Sequence, residues 1–209
     1  MLDSQAVTAR KREDDDRPRG VLRAHKPSED ELMELMISYQ GGDVAAFEGL
    51  YRAVATRIRG YLLSLARDAT RADDLLQETF LQVHRARRTY QPGRPVKPWL
   101  YAIARNVFLM HRRSAVRRSR REVIADDELP EFPVPDGADA VEARRTLETA
   151  VRALGSERCE ALLLHHLGGL SFKEVGAVMG ISEGAAKVRA HRVMAELREL
   201  LAGQGDHGE

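Results

Sequence analysis

The chain has 209 residues, enough for one large domain or two small ones. Its 33 Lys and Arg nearly cancel its 32 Asp and Glu, so bulk charge announces no nucleic-acid partner, and the informative fact is how the sign varies along the chain. The single cysteine, Cys159, excludes an internal disulfide and a cysteine-built metal cluster; no apolar run approaches the ~20 residues of a membrane span, and the charged start lacks the apolar stretch of a secretion signal, so a soluble cytoplasmic protein is expected.

Residues 1–27 are rich in Arg, Asp and Lys without apolar period, and are expected to form a disordered tail. Ser28 with Glu31 makes a capping box before Leu32, Leu35 and Met36. Gly41-Gly42 breaks that helix and Asp43 can cap the next. The second helix carries a long stripe of Phe47, Leu50, Tyr51, Val54, Ile58, Tyr61, Leu62 and Leu65. A break at Asp68 to Thr70 precedes a third helix from about Arg71 to Arg87, with Ala72, Leu75, Leu76, Phe80 and Val83 inward. Its outward face holds Asp74, Gln77, Glu78 and Leu81 on one patch by helical spacing. An acidic patch with an exposed leucine suits docking on a basic helix of a partner. A solvated helix with one stray leucine accounts for the pattern equally well.

A loop with Pro92, Pro95 and Pro98 follows, and Pro98 fits the first turn of a fourth helix. That helix is expected to bury Trp99, Leu100, Ile103, Val107 and Met110. Tyr90, Trp99, Tyr101 and Phe108 alternate with Arg88, Arg94, Lys97, Arg105, Arg112 and Arg113, and Asn106 lies among them. Unstacked bases need a π face and a phosphate backbone needs cations, so this mixture suits a single strand. Against that, Trp99 belongs to the core stripe and arginines are often merely solvated.

Residues 115–140 read as a linker, basic at first, then acidic and proline-bearing from Asp126 to Asp136. A second helical unit spans residues 141–202, and residues 203–209 are a short tail. Within it, Ser171 and Glu174 form another capping box, Gly180 sits at a sharp turn, and Ser182 caps a further helix. The inward stripe of that helix is Ala186, Ala190, Val193, Leu197 and Leu200. Its start offers Ser182, Glu183, Lys187, Arg189, His191 and Arg192, a small and basic face suited to a DNA major groove. An ordinary helical hairpin with a solvated basic face is the bland alternative. His165 and His166, adjacent on a helix, point about 100° apart and make a poor chelating pair. No metal or cofactor site is indicated, and no catalytic triad, glycine-rich phosphate loop or paired carboxylate supports an enzyme.

Four ordered blocks resemble the extracytoplasmic-function (ECF) group of bacterial sigma-70 RNA polymerase sigma factors. They are Asp43-Val-Ala-Ala-Phe-Glu-Gly-Leu-Tyr51, Ala72-Asp-Asp-Leu-Leu-Gln-Glu-Thr-Phe-Leu-Gln-Val-His-Arg85, Pro98-Trp-Leu-Tyr-Ala-Ile-Ala-Arg-Asn106, and Leu163 to Ser182 with the helix to Arg192. The resemblance implies an all-α fold of two small helical domains, sigma region 2 over 28–114 and sigma region 4 over 141–202, joined by a flexible linker. It implies a dissociable initiation subunit whose partners are core RNA polymerase, promoter DNA and an anti-sigma factor, with no membrane insertion. It places polymerase docking at Asp74, Gln77, Glu78 and Leu81. It places recognition and melting of the −10 element at Arg88, Tyr90, Arg94, Lys97, Arg105, Asn106, Arg112 and Arg113. It places −35 recognition at Ser182, Glu183, Lys187, Arg189, His191 and Arg192. Gly176 stands where the family usually has alanine. A stand-alone helix-turn-helix regulator with a palindromic site, and a protein-binding adaptor with no DNA contact, are the competing classes.

Overall fold

The computed structural model describes residues 27–119, 151 and 153–204. The expected N-terminal tail, most of the linker, the start of the second helical unit and the end of the C-terminal tail lie outside these residues. Every regular element described is helical: α1 (Glu29–Gln40), α2 (Val44–Ala66), α3 (Ala69–Ala86), a 3-10 turn (Arg87–Thr89), α4 (Val96–Ser119), α5 (Ser156–His166), α6 (Phe172–Met179) and α7 (Glu183–Gln204).

The caps form as the residue types dictate. Glu31 N–H donates to Ser28 Oγ at 3.1 Å while Ser28 N–H donates to Glu31 Oε2 at 2.6 Å. Asp43 Oδ1 accepts from Ala45 N–H at 2.8 Å, and Asp68 Oδ1 accepts from Arg71 N–H at 2.8 Å. Each such cap contributes about 1 kcal/mol. Asp68 is therefore the cap of α3, which starts two residues before Arg71. Helix α4 carries Pro98 in its first turn, as expected. It begins two residues before Pro98, because Glu29 reaches across from α1 and its carboxylate accepts from the Val96 and Lys97 N–H groups. An acidic side chain at a helix start satisfies orphan donors and suits the dipole. Its far end continues to Ser119, five residues into the expected linker, since Ala115 to Ser119 contain no Gly or Pro to stop it.

Helices α1 to α4 pack on one another through Leu32, Met36, Leu50, Ile58, Leu75, Val83 and Leu100, all fully buried. Tyr51 and Met110 depart from their expected stripes. Tyr51 is 40% exposed and lies on Phe80 at the rim with ring centroids 4.6 Å apart, and Met110 is 64% exposed. Helices α5 to α7 pack through Leu163, Val175, Ala186, Ala190, Val193 and Leu197. Cys159 is fully buried, and burial pushes its thiol up to about 11, so it is an inert core group.

The two groups of helices also touch, α2 against α5 and α4 against α6. The six consecutive residues from Gly60 to Leu65 in α2, and those from Cys159 to Leu164 in α5, are all buried. A helix buried all round has neighbours on both sides. Between the groups lies a cleft of about 210 Å³, lined among others by Leu65, Phe108, His111 and Arg112 from the first and by Ser156 and Glu157 from the second.

At the α6–α7 turn, Gly180 takes the left-handed conformation with φ 70° and Ile181 N–H donates to the Gly176 carbonyl at 2.9 Å. A Cβ on Gly176 would sit 2.7 Å from the Ile181 carbonyl oxygen and 3.2 Å from the Glu183 nitrogen. Both are backbone atoms, which do not swing aside. The missing methyl lets α7 start close against α6. Gly176→Ala is expected to destabilise the fold by about 1–3 kcal/mol as overpacking, read as a lowered thermal midpoint. A midpoint unchanged or raised would contradict this account of the turn.

Candidate nucleic-acid and protein interfaces

The start of α7 stands open on the surface. Ser182 Oγ accepts from Ala185 N–H at 3.1 Å, which closes the helix start. Ala186, Ala190, Val193 and Leu197 hold the opposite side in the core at no more than 3% exposure. Ser182, Glu183, Lys187, Arg189, His191 and Arg192 are all exposed, so the six expected −35 contacts share one open helix start. Val188 stands among them, 49% exposed, an apolar side chain able to touch a thymine methyl. His165 serves the scaffold: its Nδ1 lies 2.7 Å from the Leu170 carbonyl and its ring stacks on Phe172 at 4.3 Å.

The outer face of α3 brings together Asp74 and Gln77, both exposed, Glu78, whose side chain is 36% exposed, and Leu81, 52% exposed. Gln82 Nε2 donates to Glu78 Oε1 at 2.6 Å, and Arg85 lies 3.9 Å away. Neighbouring Asp73 is not part of this acidic face. Arg59 grips it with bonds of 2.5 and 3.0 Å, and that hydrogen bonding holds its carboxyl below the usual range. That arginine lies fourteen residues earlier, on α2, so the pairing leaves no local pattern in the sequence.

The expected −10 residues divide. Arg88, Arg94, Asn106 and Arg113 are exposed. Tyr90 is not available to stack on a base: it is 3% exposed, packs edge-on against Trp99 with centroids 5.6 Å apart, and its hydroxyl donates to the Arg94 carbonyl. Gln40 Nε2 holds this loop from α1 by donating to the Arg87 and Tyr90 carbonyls at 2.6 and 2.8 Å. Lys97 is drawn inward by Glu29, 3.2 Å away, and its side chain is 16% exposed. Arg112 is exposed as well, at 44%, and pairs with Glu157 across the cleft. Arg105 is the most committed, for its Nε and Nη2 donate to the Glu160 carboxylate at 2.8 and 3.3 Å and its side chain is 20% exposed.

Sequence reasoning missed Glu29 and Glu160, because a carboxylate that meets its partner tens of residues away leaves no local pattern. Tyr61 also donates to Glu160 Oε1, at 2.9 Å, and burial together with that carboxylate pushes its hydroxyl well above the ordinary tyrosine value. The signal that could have found this contact was the run Tyr61-Leu62-Leu63-Ser64-Leu65, too apolar for a helix covered on one side only.

Comparison with known proteins identifies the family. Residues 50–118 match the family model described as Sigma-70 region 2, and residues 144–197 match Sigma-70, region 4. The chain is 41% identical over 169 residues to the RNA polymerase sigma factor CarQ of Myxococcus xanthus, spanning 79% of this chain and 95% of that protein. It is 34% identical to the ECF RNA polymerase sigma factor SigF of Caulobacter vibrioides, over 83% of this chain and 96% of that protein. The solved structure of the sigma factor RpoE with the anti-sigma factor NepR from Bartonella quintana is 25% identical, with a TM-score of 0.63 over 76% of this chain and 98% of that one. Both family regions, in order, and relatives matched over nearly their whole length lead to one conclusion: the chain belongs to the ECF group of sigma-70 RNA polymerase sigma factors.

Proposed function

We propose that the chain directs core RNA polymerase to promoters by joining it through α3, holding the −35 element as duplex with the start of α7, and reading the −10 element as an opened strand with the loop before α4 and with α4 itself. One observation carries this reading best: six polar and basic residues at the start of α7 stand exposed while the opposite stripe of the same helix is sealed in the core. That is the arrangement by which a helix enters a major groove without unfolding its own support. Lys187, Arg189 and Arg192 supply phosphate or base-edge contacts, with Ser182, Glu183 and His191 beside them. The α3 patch of Asp74, Gln77, Glu78 and Leu81 meets a basic helical surface of the polymerase.

On the strand side, exposed Arg88, Arg94, Asn106 and Arg113 make the first contacts, while Tyr90 shapes the loop from within. Lys97, Arg105 and Arg112 join only after their carboxylate partners let go. Opening and unstacking bases costs a few kcal/mol, which binding to polymerase and duplex offsets, so no nucleotide hydrolysis is required. The protein works in the cytoplasm, where chromosome and polymerase are, and an anti-sigma factor is expected to restrain it, as NepR is found with RpoE.

The test is run-off transcription with core polymerase on promoters found by mapping 5′ ends after overexpression. Specific initiation that needs both polymerase and this chain is expected. Tight operator binding by the chain alone, with no initiation, would favour a stand-alone regulator. Absence of any DNA contact would favour an adaptor.

A further inference from the structure

Glu160 lies at the centre of the contact between the two groups of helices. It comes from α5, within sigma region 4, and is 8% exposed. Its carboxylate binds Tyr61 from α2 and Arg105 from α4, both within sigma region 2. Further polar contacts flank it: Arg112 with Glu157, Ser156 Oγ donating to the Leu65 carbonyl at 3.4 Å, and Arg67 Nη2 donating to the Val151 carbonyl at 3.4 Å. A Cβ on Gly168 would lie 2.4 Å from the Leu164 carbonyl oxygen in its own group and 3.2 Å from the Tyr101 ring across the seam, so the glycine packs there without a clash. An acid buried at such a seam costs desolvation unless it is paired and hydrogen-bonded. Glu160 meets that condition with three donated bonds, all from the other group of helices.

We infer that Glu160 is an internal latch that folds region 4 back onto region 2 in the free chain and holds Arg105 away from promoter DNA. The inference rests on the proposed role of Arg105 in reading the −10 strand. Geometry makes the closed form incompetent for initiation. Elements named for positions −35 and −10 lie roughly 25 base pairs apart, about 85 Å at 3.4 Å per step. A packed chain of about 150 residues has a radius of gyration of about 15 Å and a diameter of about 40 Å. The closed chain can present the start of α7 to a duplex, but it cannot serve both elements together. Polymerase must separate the regions, and the latch taxes that step: a closed form outweighing the open one ten to one weakens apparent affinity about tenfold.

The experiment measures the distance between dyes on Ser38→Cys in α1 and Arg198→Cys in α7, both exposed positions, in the full chain. Buried Cys159 stays unlabelled. The parent is expected to show a short distance. Glu160→Gln, which removes the charge and keeps the shape, is expected to populate a long distance several-fold more and to bind core polymerase up to about tenfold more tightly. Tyr61→Phe, which removes one donor and keeps the ring, is expected to move both readouts the same way by less. A parent already extended would overturn the latch. So would both variants matching the parent in distance and affinity while circular dichroism shows them folded. Should either variant fail to fold, the other decides. If no form of the chain binds polymerase, the sigma reading fails, and the dye distance still judges the latch by itself.

Discussion

Glu78→Lys is expected to abolish co-purification with core RNA polymerase while leaving the chain folded. Glu78 sits among Asp74, Gln77 and Leu81 on the outer face of α3, and its contacts there are Gln82 and Arg85 on the same helix. Replacing it removes no contact to another element, so the thermal midpoint should shift by no more than a degree or two, as for most surface substitutions. At an interface with a basic helix the change does two things. It deletes an attractive pair and places like charges together, and losing one partner of a close charge pair costs about 2–5 kcal/mol. Affinity should fall by a factor of about 100 or more, since each 1.4 kcal/mol is tenfold. Co-purification equal to the parent would refute the docking assignment. Loss of binding together with loss of helicity would show only that α3 had been damaged.

The second large effect is expected from Lys187→Ala, Arg189→Ala and Arg192→Ala combined. All three are exposed at the start of α7, clear of the buried stripe, so stability should hold. Each lost phosphate contact lowers the slope of log affinity against log salt by about 0.9, so the slope should fall by up to about 3. A lost base-edge contact costs about 1–3 kcal/mol instead. Promoter-directed initiation by the holoenzyme should drop by a factor of about 100 or more at moderate salt. Initiation from a template already opened across −10, and lacking a −35 element, should be nearly unaffected. Equal losses on both templates would mean that these residues act somewhere other than the −35 duplex.

What was legible in the chain was whatever residues say about their near neighbours. Ser28 with Glu31, and Ser171 with Glu174, declared helix starts, and both capping boxes form. Gly180 marked the turn between α6 and α7, and the stripe Ala186, Ala190, Val193 and Leu197 marked the buried side of α7. The exposed start of α7 followed directly. Residues whose partners are distant in sequence behaved differently. Tyr90 reads as a base-stacking aromatic beside arginines, yet Trp99 and the hold of Gln40 on the loop from α1 draw it inside. Lys97 and Arg105 read as free cations, yet Glu29 and Glu160 neutralise them from 68 and 55 residues away. The far end of α4 was misplaced because a basic stretch without Gly or Pro continues a helix as readily as it makes a linker.

The contact between the regions is the larger omission. Reading each helix for a single stripe treats Tyr61 to Leu65 as one buried side, whereas that run is covered from two directions. Gly176 becomes intelligible only once the backbone of Ile181 and Glu183 is seen against it.

One chain, seated on polymerase, is expected to keep one promoter element paired while it pulls another apart. Permanganate footprinting of the ternary complex with polymerase and promoter, without nucleotides, tests it most directly, read beside nuclease protection of the same DNA. Reactive, unpaired thymines about the −10 element together with a protected, unreactive duplex at −35 are predicted, both lost when this chain is left out. Protection of duplex with no reactive thymines, or the same pattern from polymerase alone, would contradict the account.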